Sequence, residues 1–149
     1  MTTHPEPTGS LEAMPAETTP SALLAPSLRR LEQLARLKPD WDSYGALPPF
    51  GSAVAQARRL LETVAGQFGA EISEGAAPFA IAPLAVGGIQ LQWRGPSGEI
   101  EVEVSPDGEF GYLLIEAEGT NRSFQEGDHV GSFDLLALVT KVLSPRSDI

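Results

Sequence analysis

Apolar and polar residues alternate most regularly between Gly87 and Glu118. Successive side chains of a strand point to opposite faces. In Ile89–Arg94 this puts Ile89, Leu91 and Trp93 on one face and Gln90, Gln92 and Arg94 on the other. In Glu99–Val104 it puts Ile100, Val102 and Val104 opposite Glu99, Glu101 and Glu103. A third segment, Glu109–Glu118, is more apolar and offers two inward sets, Phe110, Tyr112 and Leu114 or Leu113, Ile115 and Ala117. The intervening Gly95-Pro96-Ser97-Gly98 and Ser105-Pro106-Asp107-Gly108 are turn sequences, because Pro presets φ and Gly accepts positive φ. The pattern predicts an antiparallel meander with one apolar and one wet face, and the apolar face requires a cover.

Helical spacing elsewhere supplies that cover. Ser27 is a good N-cap for a helix over Leu28–Lys38, which Pro39 stops. Ser52 caps a second over Ala53–Phe68, with Val54, Ala57, Leu60 or Leu61, Val64 and Phe68 on one side. Ser132 caps a third over Phe133–Leu143, ended by Pro145. Asp134 in its first turn and Lys141 in its last suit the helix dipole. This third helix is the most apolar and is expected to be the main cover of the sheet. The Gly/Ala/Pro connector over 70–88 holds Phe79, Ile81, Leu84 and Val86 and fits a short edge strand, since Pro is tolerated at an edge. Gly119–Gly131 reads as a polar loop whose Phe124 packs back on the sheet. Residues 1–25 carry Pro5, Pro7, Pro15 and Pro20 without sustained periodicity and read as a disordered leader. The expected class is therefore α+β: a three- or four-stranded antiparallel meander covered on one face by helices. The expected organisation is a leader over 1–25, a single domain over 26–145 and a tail over 146–149.

Composition narrows the function. A formal net charge of −10 disfavours unaided binding to nucleic acid phosphates or to an anionic membrane. It suits a basic protein partner, nucleic-acid mimicry or simple solubility. There is no cysteine, so thiolate metal sites and disulfides are excluded. No apolar run reaches the ~20 residues of a membrane span, and no signal-peptide pattern opens the chain, so a cytoplasmic protein is expected.

Candidate chemistry is sparse. From Gly95 to Val130 there are nine acids and one base, Arg122. Glu99, Glu101 and Glu103 fall about 7 Å apart along one strand face. They form either a solvated face that discourages edge aggregation or a docking surface for a basic partner, with Arg94 able to pair across the strands. Asp40-Trp41-Asp42-Ser43-Tyr44-Gly45-Ala46 sets two aromatics among turn formers. In one reading Trp41 and Tyr44 seal the helix–sheet seam while Asp42 and Ser43 bond local backbone N–H groups. In the other, the aromatics form a stacking platform with Asp40 and Asp42 as polar hooks. The histidines are His4 and His129, and Asp128-His129 lacks partners at a metal-ligand spacing, so no metal or cofactor is expected. Gly87-Gly88 precedes a strand and is not a phosphate loop. No seryl residue has a histidine base at hand, and no apolar pocket is indicated that would split the pKa values of paired carboxylates. A catalytic role is not expected.

Trp41-Asp42-Ser43-Tyr44-Gly45-Ala46, followed by Pro48-Pro49, and the later Gly87-Gly88-Ile89-Gln90-Leu91-Gln92-Trp93 together resemble a group of small bacterial proteins of unassigned function with a WD-x-YGA block and a GGIxLxW block. The resemblance spans about Leu28–Tyr112. It implies a bacterial source and a helix–helix–sheet order, and it carries no catalytic residue. Small acidic bacterial proteins often neutralise another gene product, by analogy alone. The function expected is that of a non-catalytic acidic binding protein, an antitoxin- or immunity-like partner of a basic protein. Its contacts would come from Asp40, Trp41, Asp42, Tyr44, Glu99, Glu101 and Glu103. The alternatives are a small-molecule binder or enzyme with a pocket between Trp41, Tyr44, Trp93 and the sheet, and a structural or self-assembling subunit using a strand edge or the last helix.

Overall fold

The computed structural model describes residues 20–68 and 77–144. Its elements run α1 (Pro20–Ala35), α2 (Gly51–Phe68), β1 (Ala80–Pro83), β2 (Ile89–Gly95), β3 (Gly98–Val104), β4 (Phe110–Glu118), β5 (Asn121–Val130) and α3 (Ser132–Leu143). All neighbouring strands pair antiparallel, and their spatial order is their chain order.

The class is α+β as expected, but among the described residues the sheet has five strands rather than three or four. β1 is the short edge strand anticipated in the connector, and it stops at Pro83. The addition is β5, which occupies the segment expected to be a polar loop. It pairs with β4 from Glu118↔Asn121 onward, through a two-residue turn with Gly119 at φ 61°. Phe124 does not fold back on a covered face. It stands opposite Ile115 and is exposed.

Register decides the inward face of β4. Val104 lies opposite Phe110, Val102 opposite Tyr112 and Ile100 opposite Leu114. Directly opposed residues share a face, so Phe110, Tyr112 and Leu114 face the helices while Leu113, Ile115 and Ala117 face out. The inward residues of β2 and β3 (Ile89, Leu91, Trp93, Ile100, Val102 and Val104) are fully buried. α3 lies over β2, β3 and β4 and buries Leu135, Val139, Val142 and Leu143, which makes it the cover its composition suggests. α2 rests on β2 and β3 and buries Ala53, Ala57, Leu60, Leu61 and Val64. α1 packs on α2 and β1 through Leu24, Leu31 and Leu34. These side chains form one continuous core.

Helix starts differ most from expectation. α1 begins at Pro20, so residues 20–25 of the predicted leader are helical; residues 1–19 lie outside the described residues. Pro at the first helical position lacks an N–H that would have no intrahelical partner there. Pro26 lies inside the helix, and Ser27 is a buried helical residue rather than its cap. α1 also ends at Ala35, three residues before the predicted Lys38. Ser132 is the first residue of α3, and Gly131 occupies its N-cap without a side-chain hydrogen bond. Ser52 likewise lies within α2, where its hydroxyl donates to the Pro106 carbonyl and ties the helix start to the β3–β4 turn. The predicted tail, residues 146–149, lies outside the described residues.

Docking of α3 depends on a close approach at Gly95. A Cβ there would collide with the Val142 carbonyl and lie 2.9 Å from Leu143 Cα. The same carbonyl accepts the Ser97 N–H at 3.3 Å, and the Ser97 hydroxyl donates to Ser144 O at 3.2 Å. Gly95→Ala is expected to cost about 1–3 kcal/mol, as overpacking does. Urea unfolding should show a lowered midpoint, and an unchanged midpoint would refute this packing of α3 on the β2–β3 turn.

Candidate binding surface

The Asp40–Leu47 loop is built by its own carboxylates. Asp40 and Ser43 sit at φ 68° and 66°, and Gly45 at 86°. Left-handed backbone is costly for most side chains and tolerated best by Gly, Asn and Asp, so other bonds must hold Ser43. Asp40 Oδ1 accepts the Gly45 N–H at 2.6 Å, and the Asp40 N–H donates to Ala46 O at 2.7 Å. Asp42 Oδ1 accepts the N–H groups of Tyr44 at 2.8 Å and Ala46 at 3.1 Å. The Ser43 N–H donates to Asp40 O at 3.0 Å, and Trp41 Nε1–H to Leu47 O at 2.7 Å.

This corrects both readings of the loop in part. Asp42 does bond local N–H groups, and so does Asp40, each through Oδ1. Trp41 is half-buried with its indole N–H satisfied. Tyr44 seals nothing, because it is 90 % exposed. Trp93 is 0 % exposed. A core indole and a fully presented phenol cannot line one cavity, so the pocket expected between Trp41, Tyr44 and Trp93 does not form.

The chain leaves the loop along the β1–β2 connection. Leu47 bridges Val86 in parallel, and the Phe50 N–H donates to Gly87 O at 2.9 Å. Gly87, at φ 99°, gives that connection the sharp turn read from Gly87-Gly88, and a Cβ there would strike the Phe50 ring. Leu47, Phe50 and Val86 are all exposed apolar residues.

The acidic strand is less uniform than its sequence. Glu99 lies opposite Arg94 and pairs with its Nε at 2.8 Å. The Arg94 guanidinium also lies 4.3 Å from the Phe79 ring centroid. Glu101 accepts from Gln90 Nε2 at 3.3 Å and Gln92 Nε2 at 3.2 Å. Glu103 is exposed, and among the described residues its carboxylate has neither ion pair nor hydrogen bond. Of the three glutamates, it is the one left with an uncommitted charge.

Glu103 belongs to a groove at one end of the sheet, a cavity of about 230 Å³. Leu84, Val86 and Phe110 give it apolar lining, and Glu103, Glu109 and Asp128 give it carboxylates. Val86, the bridge partner of Leu47, thereby joins the loop region to the acidic strand. Asp128 and His129 stand at a β-bulge where the register slips between Phe110 and Gly111, and His129 takes φ 57°. Its Nδ1 contacts Glu109 Oε1. The pair also borders a cavity of about 530 Å³ at the seam with α2, lined by Gln56, Arg59, Thr63 and Ser132 among others. Among the described residues, no cluster of three or more His, Cys, Asp or Glu could hold a metal ion.

Nothing in the sequence brought Asp128, Glu109 and Val86 together in one site. Each enters the groove only through register: a bulge, a turn and a loop–loop bridge. The doublet Asp128-His129 and the turn glycines Gly87-Gly88 were the visible traces of that geometry. No family model matches the chain, and no curated protein or solved structure matches it.

Removing the Asp42 carboxylate takes away two N–H acceptors at once. Asp42→Ala is expected to lower stability by about 1 kcal/mol and to speed amide exchange at Tyr44 and Ala46. Exchange measured by NMR should single out those amides, and unaltered rates would mean that the carboxylate does not hold the loop.

Proposed function

We propose that the chain is a non-catalytic acidic binding protein that docks a basic protein, in the manner of antitoxins and immunity proteins. The observation that carries the reading is the groove, where the exposed carboxylates of Glu103 and Asp128 flank an apolar floor of Leu84, Val86 and Phe110. Such a site suits an apolar side chain flanked by Lys or Arg. Leu47 and Phe50 extend the apolar surface beside Val86. Tyr44, held out on a cross-bonded loop, is an aromatic anchor that loses little freedom on binding.

In this proposal the residues divide by role. Glu103 and Tyr44 make contact. Asp40, Trp41 and Asp42 position the loop. Glu99 and Glu101, engaged within the sheet, contribute field rather than direct bonds. The net charge of −10 steers a basic partner and makes the encounter salt-dependent. A bacterial, cytoplasmic setting belongs to the same proposal. Among the described residues no helix is long and apolar enough to cross a membrane.

The test is a tagged pull-down from the host lysate at low and high salt, read by mass spectrometry, beside a Glu103→Lys/Asp128→Lys variant. A basic protein should be recovered at low salt, weakened at high salt and lost with the variant. Equal capture by the variant would remove the groove, and no capture by the wild type at either salt would remove the partner.

The seam cavity supports a second reading. Its volume of about 530 Å³ falls within the ~300–1,000 Å³ range of small-molecule sites. Gln56, Arg59, Thr63 and His129 supply polar groups beside Leu60 and Phe110. A metabolite panel screened by thermal shift should then show a ligand whose stabilisation disappears in Arg59→Ala; a panel without any shift counts against it.

A further inference from the structure

β5 is the last strand of the sheet, ten residues long, and among the described residues no strand covers its outer edge. Natural edge strands are usually kept short, interrupted by Pro or guarded by Lys. β5 has no Pro and no Lys, and its Phe124 is 65 % exposed. The other edge, β1, is four residues long and ends in Pro83. Among the described residues one edge is thus short and closed by Pro83, whereas the other is long, carries Arg122, Glu126 and Asp128, and is interrupted only at the bulge by His129.

The backbone of that edge has a definite polarity. A two-residue turn closing on Glu118↔Asn121 requires those two to exchange hydrogen bonds. Along an antiparallel pair the bonded positions then recur at every second residue. Asn121, Ser123 and Gln125 thus direct their N–H and C=O groups toward β4. Arg122, Phe124 and Glu126 direct theirs outward. The same three residues share the sheet face away from the helices, since they oppose Ala117, Ile115 and Leu113.

We propose that β5 pairs antiparallel with β5 of a second copy, about a two-fold axis through Phe124, to make a dimer with a continuous ten-stranded sheet. The strand is self-complementary in this register. Phe124 meets its own copy, and Arg122 of each chain stands opposite Glu126 of the other, twice. The paired positions are the ones whose backbone groups point outward, so about six main-chain hydrogen bonds form without disturbing β4. Shifting the axis to Gln125 would instead set Phe124 against Glu126, a poorer match. The interface also joins two apolar stripes, because Leu113, Ile115 and Phe124 are neighbours across β4 and β5. An isologous contact of this kind closes at two chains and does not propagate through the same edge. The groove beyond the bulge at His129 stays outside the paired core.

An interface made mainly of one strand pair is small, so a dissociation constant in roughly the 1–100 μM range is expected. Sedimentation velocity of the full chain over a concentration series should resolve monomer and dimer. Arg122→Glu and Glu126→Arg each set like charges opposite one another, and each should weaken the dimer by at least about tenfold. Circular dichroism should show both variants folded. Mixing the two variants restores both opposite-charge pairs, so a heterodimer should form where neither variant associates alone. The double variant Arg122→Glu/Glu126→Arg should dimerise like wild type. A wild type that stays monomeric at high micromolar concentration would overturn the proposal. So would a dimer indifferent to both single reversals, or variants that fail to complement on mixing.

Discussion

Trp93 is the side chain about which the two layers close. It sits on β2, a strand that both α2 and α3 touch, and it is wholly buried opposite Ile100. Trp93 belongs to the core to which both helices contribute side chains, and the chain beside it is thin. Gly95, two residues on, provides that thinness by letting the end of α3 approach the backbone. The helices are thus committed to one face of one sheet, through a single core that runs from Leu24 to Leu143. Among the described residues all three helices lie on that face and none covers the other. The opposite face is therefore the polar one, set by Gln90, Gln92, Glu99, Glu101 and Glu103.

That division organises the outer surface. Gln90, Gln92 and Arg94 face Glu103, Glu101 and Glu99 across β2 and β3, and most of that polarity is consumed locally. Glu99 is taken up by its ion pair and Glu101 by amide bonds; exposed pairs of this kind contribute little to stability. What remains uncommitted lies at the margins: Glu103 and Asp128 at one end, Phe124 at the edge, and Tyr44 on its loop. In the proposed function it is this uncommitted charge beside exposed apolar surface that a basic partner meets.

Legibility followed burial. Strands with one buried face announce themselves by alternation, so β2 and β3 could be read almost to the residue, and α3 could be assigned as the cover. β5 could not, because neither of its faces is buried. Nothing selects alternating apolar residues there, and its strand geometry is imposed by pairing with β4 rather than by its own side chains. The same logic explains Tyr44. Aromatics are expected inside, and only the backbone bonds of Asp40 and Asp42 show that this one is held out. The distinction between Glu99, Glu101 and Glu103 is likewise a matter of register, since it depends on which β2 residue stands opposite each. The start of α1 was hidden by its prolines, which read as breakers although one occupies the tolerated first position of the helix.

β5 carries a conflict that bears on function. A ten-residue strand held on one side only should fray at its outer edge. Its anchors are the Gly119 turn at one end and the Asp128–His129 bulge at the other, where the chain swings into α3 and the core resumes at Leu135. The bulge therefore does two things. It ends the pairing register, and it sets Asp128 and His129 beside Glu103 in the groove. Order in β5 and geometry in the groove are coupled through this one irregularity. A second copy seated on the outer edge would satisfy the outward backbone groups of Arg122, Phe124 and Glu126 and stiffen the strand up to the bulge. Binding at the edge would then order one wall of the groove, although the two sites share no residue.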